Sequence, residues 1–256
     1  MFLHDARIPG KLFSMLVGLS LLAPAFSHAQ HHGRKRTARN DEDPVEATKV
    51  NIRDHLRIFD GETAEARYFI SLCGDVPLNR KPMKVAHNQQ TGHVFLILQK
   101  VYADHPSDTL HRVFGYYPKK GLPVLLFKKI KAVVKDNSNR EYDVSISREL
   151  SAGQFDTALA AARELAARKY HINKFNCYDY AVTVFNRAVE TDTLPLVKVR
   201  FPFVFGRGGS PCGLYKELME RQAAGNRLAS VRLGAYTAPR STDFPETDYT
   251  ASGGHE

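Results

Sequence analysis

The patterning of this chain changes near residue 150, from short strand-like apolar segments to the spacing of amphipathic helices. Before that point, apolar segments such as residues 94–101 are separated by clusters of turn residues. After it, Ser151 and Gln154 form a capping box that opens a helix, and Asn176 begins a second one. Strands that mostly precede helices are typical of an α+β fold. The sequence therefore predicts an antiparallel sheet packed against helices.

The predicted strands differ in how they are bounded. Residues 66–72 read as a strand that ends at Cys73. Residues 94–101 form an almost unbroken apolar run, which indicates a strand covered on both faces. A third strand is expected at residues 113–117. Two further segments, 124–134 and 142–146, are expected to form a hairpin around Asn137-Ser138-Asn139.

The N-terminus has the order of a secretory signal peptide. Arg7 and Lys11 precede an apolar run over residues 12–26, and Ser27-His28-Ala29 supplies small residues for cleavage. A membrane-spanning helix needs about 20 apolar residues, and this run is shorter and interrupted. We therefore expect residues 1–29 to be removed and the protein to be exported to the periplasm or the extracellular space without stable membrane insertion. The alternative is an N-terminal anchor helix that is retained.

Composition divides the remainder into three parts. Residues 30–48 are polar and charged and cannot bury enough apolar surface to order themselves, so they are expected to be a disordered linker. Residues 238–256 are similarly poor in core residues and are expected to be a disordered tail. The segment between them, residues 49–237, is large enough for one domain with its own core.

The chain carries a net charge of +9. A basic exported protein favours anionic partners, although simple solubility explains the charge equally well. We find no recognition helix, zinc finger or aromatic RNA-binding motif, so nucleic acid is not an expected partner. The histidines show no metal-ligand spacing such as HExxH, and the glycines at 206–209 lack the Lys-Ser/Thr of a phosphate loop. Neither a metal nor a cofactor is expected.

The three cysteines are Cys73, Cys177 and Cys212. An oxidising compartment permits one disulfide and leaves one thiol unpaired. Cys73 and Cys212 both lie beside glycine or proline in loop-like contexts, whereas Cys177 begins a helix. We therefore expect Cys73 and Cys212 to bond to each other if their Cα atoms come within about 7 Å.

Cys177 is placed where a thiol is most easily activated. With Asn176 as the cap, Cys177 is the first residue of the helix, where the helix dipole stabilises a thiolate and free amides face a neighbouring oxyanion. Ala181 and Val184 continue its stripe toward the core, whereas Asp179 lies on the other side and is better explained as a first-turn cap. The alternative is that Cys177 is a small buried hydrophobe.

His93 is the candidate base. It opens the apolar strand directly after Gly92, which allows close approach of another element. An imidazole at this position can accept the proton of a thiol. A lone histidine there is also compatible with a purely structural role.

A third polar residue would orient the histidine. Gln99 shares the face of His93 but lies about 20 Å along the strand, which excludes it. If residues 102–109 form the turn of an antiparallel pair, His93 lies opposite residue 118 rather than His111. Tyr116 and Tyr117 then come near the imidazole, and Tyr117 is preferred as the third site residue.

The motifs around His93 and Cys177 together resemble those of a known superfamily. A Gly92-His93 pair opening an apolar strand, followed by Asn176-Cys177 six residues after Tyr170, resembles the circularly permuted papain-like superfamily over residues 90–190. Its members include PPPDE peptidases, the lecithin–retinol acyltransferase group and NlpC-related cell-wall hydrolases. The resemblance implies a permuted papain-like domain in which Cys177 is the nucleophile and His93 the base.

The expected function is that of a secreted thiol hydrolase that cleaves an amide bond in a peptide or cell-wall peptide. A lipid acyl hydrolase or acyltransferase with the same Cys177–His93 pair is the first alternative, so the expected partner is a peptide, cell-wall or acyl substrate. The second alternative is a non-catalytic binding protein of the same fold.

Overall fold

The computed structural model describes residues 47–60, 65–87, 90–104, 107–119, 129–202, 206–225 and 230–244. The expected signal peptide, the linker up to residue 46 and residues 245–256 of the expected tail lie outside these ranges. Within the described ranges, no helix is long and apolar enough to cross a membrane.

A large antiparallel sheet packed against helices makes up the described part and confirms the α+β class. The elements are β1 (Lys49–Val50), α1 (Ile52–Leu56), β2 (Ala66–Asp75), β3 (His93–Tyr102), β4 (Thr109–Pro118), β5 (Ala132–Asp136), β6 (Glu141–Leu150), α2 (Ala152–Leu165), α3 (Cys177–Val189), β7 (Lys198–Arg200), β8 (Arg207–Gly209), α4 (Pro211–Ala223) and β9 (Ser230–Thr237). Seven strands form the sheet in the order β1-β5-β4-β3-β2-β6-β9, and β7 pairs with β8 separately.

Both faces of the central strand β3 are buried, as its apolar sequence predicted. Val94, Leu96 and Leu98 contribute to the main core, which they share with α2, α3 and α4. Successive side chains alternate between the faces of a sheet, and Phe95 and Ile97 accordingly belong to a second cluster. We call the side that packs on the helices the helix face and the opposite side the second face.

The expected hairpin around Asn137-Ser138-Asn139 is wrong. The turn exists, with Asn139 in the left-handed region at φ 61°, but the two strands that it joins do not pair. β5 pairs with β4 and β6 pairs with β2, so residues 137–140 cross the second face of the sheet. We call residues 137–140 the crossover. The turn residues determine the turn itself, whereas the pairing partners of β5 and β6 are set by the rest of the sheet.

The expected end of the strand at Cys73 is also wrong, because β2 continues to Asp75. Gly74 does not end the strand but allows neighbouring side chains to pack closely against it. A Cβ at this position would lie 2.9 Å from Cγ1 of Val144 and 3.2 Å from Cδ2 of Leu214. The glycine therefore lets α4 approach the sheet. α4 itself begins at Pro211, with Ser210 as its cap.

Part of the expected C-terminal tail belongs to the folded domain. The amide of Ala238 donates to the carbonyl of Arg140 at 2.8 Å, and the amide of Ser241 donates to Oγ of Ser138 at 2.7 Å. Ser241 Oγ in turn accepts from the amide of Val113 at 3.1 Å. Residues 238–244 therefore hold the crossover against β4.

Candidate functional site

The start of α3 is held rigidly by its cap. Asn176 Oδ1 accepts from the amides of Tyr178 and Asp179 at 2.9 and 3.3 Å, and Asp179 accepts from the amide of Asn176 at 3.0 Å. This capping box confirms the structural role expected for Asp179. Nδ2 of the Asn176 side chain donates to the carbonyls of Ile172 and Gly209. Cys177, the first residue of the helix, therefore has little freedom to move.

The Cys177 thiol lies beside the first residues of β3. It is buried, and burial raises its pKa, while hydrogen bonding from the amide of Val94 is the strongest opposing influence. Val94 directly follows His93. The N-terminus of α3 therefore points toward the start of β3, which is the docking direction expected for a thiol and a base that work together.

The hydroxyl of Tyr170 also contacts the cysteine. Burial raises the pKa of Tyr170 well above its ordinary value, and its hydroxyl hydrogen-bonds both the amide and the thiol of Cys177. Tyr170 is positioned by a two-bond bridge to Ile130, with N–O distances of 3.0 and 2.8 Å. The amides of Tyr178 and Asp179 are taken up by the Asn176 cap. The amide of Val94 hydrogen-bonds the sulfur, and the Cys177 amide and the Tyr170 hydroxyl lie beside it.

The His93 imidazole lies on the second face at the same end of β3. Its ring stacks on Tyr117, with centroids 4.2 Å apart, and on Phe95, with centroids 6.2 Å apart. Burial lowers the pKa of His93 well below its ordinary value, and the charge of Arg140 acts in the same direction. The imidazole is therefore neutral at neutral pH.

A polar residue that the sequence did not single out faces this imidazole. Nε2 of His93 and Oδ1 of Asn137 both lie over Gly115, where an added Cβ would be 2.2 and 2.4 Å from them. Both atoms are buried, and neither has a hydrogen-bond partner among the described residues. The side chain of Asn137, acting as an acceptor, partly offsets the lowered pKa of His93. The sequence signal for this role is an asparagine directly after a strand, a position that is equally typical of an ordinary turn.

Tyr117 supports this arrangement from the side. Nδ2 of Asn137 donates to the Tyr117 hydroxyl at 2.5 Å, which directs Oδ1 toward the imidazole. The hydroxyl also lies 3.5 Å from Nη1 of Arg140, and Nη2 of Arg140 pairs with Asp75 at 2.7 Å. The structure thus places Tyr117 beside His93, as predicted, but the group that faces the imidazole nitrogen is Asn137.

The remaining candidates lie elsewhere. His111 pairs with Gln99, six residues along β3 from His93, which agrees with the register argument against it. Among the described residues, no group of three or more His, Cys, Asp or Glu side chains could hold a metal ion.

The expected disulfide is wrong, since Cys73, Cys177 and Cys212 are all free and buried. Cys73 lies within β2 and packs on the second face beside Phe95 and Val113. The thiol of Cys212 donates to the carbonyl of Lys84 at 2.9 Å. Burial raises the pKa of Cys212 to about 11 and that of Cys73 further. These two thiols occupy separate packed environments because Cys73 belongs to a strand and not to a loop.

We predict that Asn137→Ala slows alkylation of Cys177 by iodoacetamide about ten- to a hundredfold, because an imidazole without its hydrogen-bond partner loses its orientation. Tyr117→Phe keeps the stacked ring and should give a smaller loss. Asn139→Gly, which relaxes the left-handed residue of the same turn, is the matched control. Alkylation rates followed by mass spectrometry check this, and an unchanged rate in Asn137→Ala would exclude the positioning role.

Comparison with protein-family models, with curated proteins and with solved structures finds no match for this chain.

Proposed function

We propose that this protein is a thiol hydrolase that cleaves an amide bond in a peptide or cell-wall peptide. The observation that carries the proposal is the convergence at one end of β3. A thiol on the first residue of a capped helix lies against the amide that follows a buried imidazole, and an asparagine oxygen faces that imidazole. Cys177 is the nucleophile, His93 the base and Asn137 the residue that positions the base.

The orientation of the His93 imidazole determines which of its nitrogens takes the proton of Cys177. With the proton of the neutral imidazole on Nε2, on the side of Asn137 Oδ1, Nδ1 keeps its lone pair and takes the proton of Cys177. The sulfur then bonds to the substrate carbonyl carbon. The Cys177 amide and the Tyr170 hydroxyl, which lie beside the sulfur, stabilise the oxyanion that forms. The C–N bond breaks, the imidazolium returns its proton to the leaving amine, and water hydrolyses the thioester.

The protonation states favour general-base catalysis over a preformed ion pair. Burial raises the pKa of Cys177 and lowers that of His93, so both groups are neutral in the resting site. The proton therefore leaves the thiol during attack rather than before it. Substrate binding and the oxyanion donors supply the stabilisation that a resting thiolate would otherwise need.

The order of the site residues along the chain agrees with the resemblance to the permuted papain-like superfamily, in which the histidine precedes the cysteine. The antiparallel sheet with the cysteine helix on one face suits the same assignment. We propose membership of that superfamily on this basis. Export to the periplasm or the extracellular space remains part of the proposal through the signal-like residues 1–29.

A thiol-directed probe tests the proposal. At neutral pH, an iodoacetamide probe should label Cys177 in the native protein much faster than Cys73 and Cys212, and His93→Ala should slow that labelling. The Cys73→Ser/Cys212→Ser double variant is the matched control and should label at the rate of the native protein. Equal labelling of the three cysteines, or none at Cys177, would contradict the enzyme assignment.

Substrate panels then separate the reaction classes. A peptide library and a set of acyl esters are incubated with the protein and with Cys177→Ser, and products are identified by mass spectrometry. New amine termini that require Cys177 support amide hydrolysis. Release or transfer of acyl chains in their place would assign the protein to lipid acyl chemistry, and probe labelling without turnover of either panel would indicate a binding protein.

A further inference from the structure

A concentration of lysines lies beside the candidate site. The segment 119–135 contains six lysines and no aspartate or glutamate. It covers the connection from β4 to β5 and β5 itself except its last residue, and β1 adds one more lysine beside β5. We call the described members of this set the lysine edge: Lys49, Lys119, Lys129, Lys131 and Lys135.

The strand register places most of the lysine edge on the second face, next to the imidazole. Tyr117 is paired with Val133, and Lys131 and Lys135 lie two residues to either side of Val133. Residues two apart share a face of a strand, so these lysines lie on the face of Tyr117 and His93. Lys135 shows this directly, since its Nζ lies 5.4 Å from the centroid of the Tyr117 ring.

The arrangement of these lysines is unfavourable for the free protein. Lys49 lies directly opposite Lys135 on the neighbouring strand, and the amide of Lys119 bonds to the carbonyl of Lys131. Like charges directly opposite each other destabilise a sheet. None of the five lysines forms an ion pair with a described residue, and the nearby carboxylate of Asp136 accepts bonds from Ser138 in its own turn.

On the side of the domain that carries the helices, in contrast, several arginines form ion pairs with carboxylates. Arg163 pairs with Asp60, Arg187 with Glu164, and Arg221 with both Asp192 and Glu217. Among the described residues, the lysine edge thus lacks the acidic partners that these arginines have. A bound anion would relieve the repulsion that the fold itself leaves unbalanced.

The lysine edge is also connected to the thiol through the backbone. Ile130 lies between Lys129 and Lys131 and forms the two-bond bridge to Tyr170. The Tyr170 hydroxyl contacts the thiol and the amide of Cys177. The backbone of the lysine edge is therefore bonded directly to the residue whose hydroxyl contacts the sulfur.

We propose that the lysine edge binds acidic residues of the substrate, so that the preferred substrate is a peptide with aspartate or glutamate beside the scissile bond. This proposal rests on the amide hydrolase function proposed above. The lysines select and orient the substrate, and Cys177 attacks the adjacent carbonyl. Because long-range attraction between opposite charges depends on ionic strength, salt should weaken binding.

Binding is tested separately from catalysis with the Cys177→Ala protein, so that the outcome does not depend on turnover. Fluorescein-labelled peptides of eight residues, one glutamate-rich, one neutral and one lysine-rich, are titrated at 50 and 300 mM salt, and anisotropy is measured. The charge-removal variant is Lys129→Gln/Lys131→Gln/Lys135→Gln. The matched control, Arg80→Gln/Lys81→Gln/Lys216→Gln, removes three exposed charges elsewhere. Circular dichroism verifies that both variants are folded.

We expect the glutamate-rich peptide to bind about tenfold more tightly than the neutral one at 50 mM salt, and the charge-removal variant but not the control to lose that preference. Equal loss in both variants, or no preference for the acidic peptide, would overturn the proposal. Tighter binding of a single-stranded oligonucleotide than of the acidic peptide, in competition, would overturn the choice of a peptide. Selective acidic binding without any cleavage by the native protein would contradict the hydrolase function and leave the lysine edge as a binding surface.

Discussion

Gly115→Ala is expected to slow alkylation of Cys177 about a hundredfold while the protein remains folded. A methyl group at this position would lie 2.2 Å from Nε2 of His93 and 2.4 Å from Oδ1 of Asn137. The imidazole is stacked on Tyr117 and buried, so it cannot move away without leaving its position in the site. Displacement by about 1 Å is enough to cost two orders of magnitude in a site of this kind.

The same substitution should also lower the free energy of unfolding by about 1–3 kcal/mol, the usual cost of adding a methyl group to a packed interior. Gly153→Ala is the matched control. Gly153 lies in the first turn of α2 with no heavy atom within 4 Å of its added Cβ, and alanine favours a helix over glycine by about 1 kcal/mol. Unfolding in urea and alkylation kinetics measure both effects. Normal alkylation in Gly115→Ala would show that the contact between His93 and Asn137 is not needed.

Acidification is expected to destabilise the fold well before its carboxylates are protonated. Burial lowers the pKa of His55 from its ordinary value of 6.5 to about 4, and the charge of Asp136 only partly opposes this. The folded pKa is depressed, so below pH 6.5 the unfolded chain takes up a proton that the folded one does not. His55 alone should then cost about 2 kcal/mol of unfolding free energy between pH 7.5 and pH 5. His93, whose pKa is also lowered by burial, acts in the same direction.

Urea unfolding at pH 7.5 and pH 5 measures this loss. His55→Phe removes the titrating group and can keep an aromatic contact with Phe114, whose ring lies edge-on at 6.2 Å. The variant should lose less stability than the native protein on acidification. His87→Gln, a half-buried histidine on a loop, is the control for removing one imidazole. An identical acid sensitivity in His55→Phe and the native protein would show that His55 is not responsible.

The sequence predicts a structural feature correctly where that feature depends on residues within a single helix or a single turn. The capping residues Ser151 and Asn176 define the starts of α2 and α3 as expected, because a cap satisfies amides within its own turn. The antiparallel register that brings Tyr117 to His93 followed from the length of one short connection. Both features depend on residues close together in sequence, where pattern and geometry are directly related.

The sequence does not predict contacts between segments that are far apart in the chain. Asn137 looked like an ordinary turn residue, and its place over Gly115 depends on β5 and β6 lying on opposite sides of β4, β3 and β2. Gly74 looked like the end of a strand, although it permits the approach of α4. The cysteines Cys73 and Cys212 looked like partners because both stand beside a glycine, which carries no information about distance in space.

The sequence by itself thus determined the α+β class, the helix that begins with Cys177 and the strand that begins with His93, because caps and apolar periodicity act within a few residues. Only the tertiary structure decided which groups surround them. The crossover brings Asn137 to the imidazole, the bridge to Ile130 brings Tyr170 to the thiol, and strand pairing collects lysines from two strands on one edge. Each of these contacts joins residues that are distant in the chain. Their proximity is set by the order of strands in the sheet, which depends on burial over the whole domain.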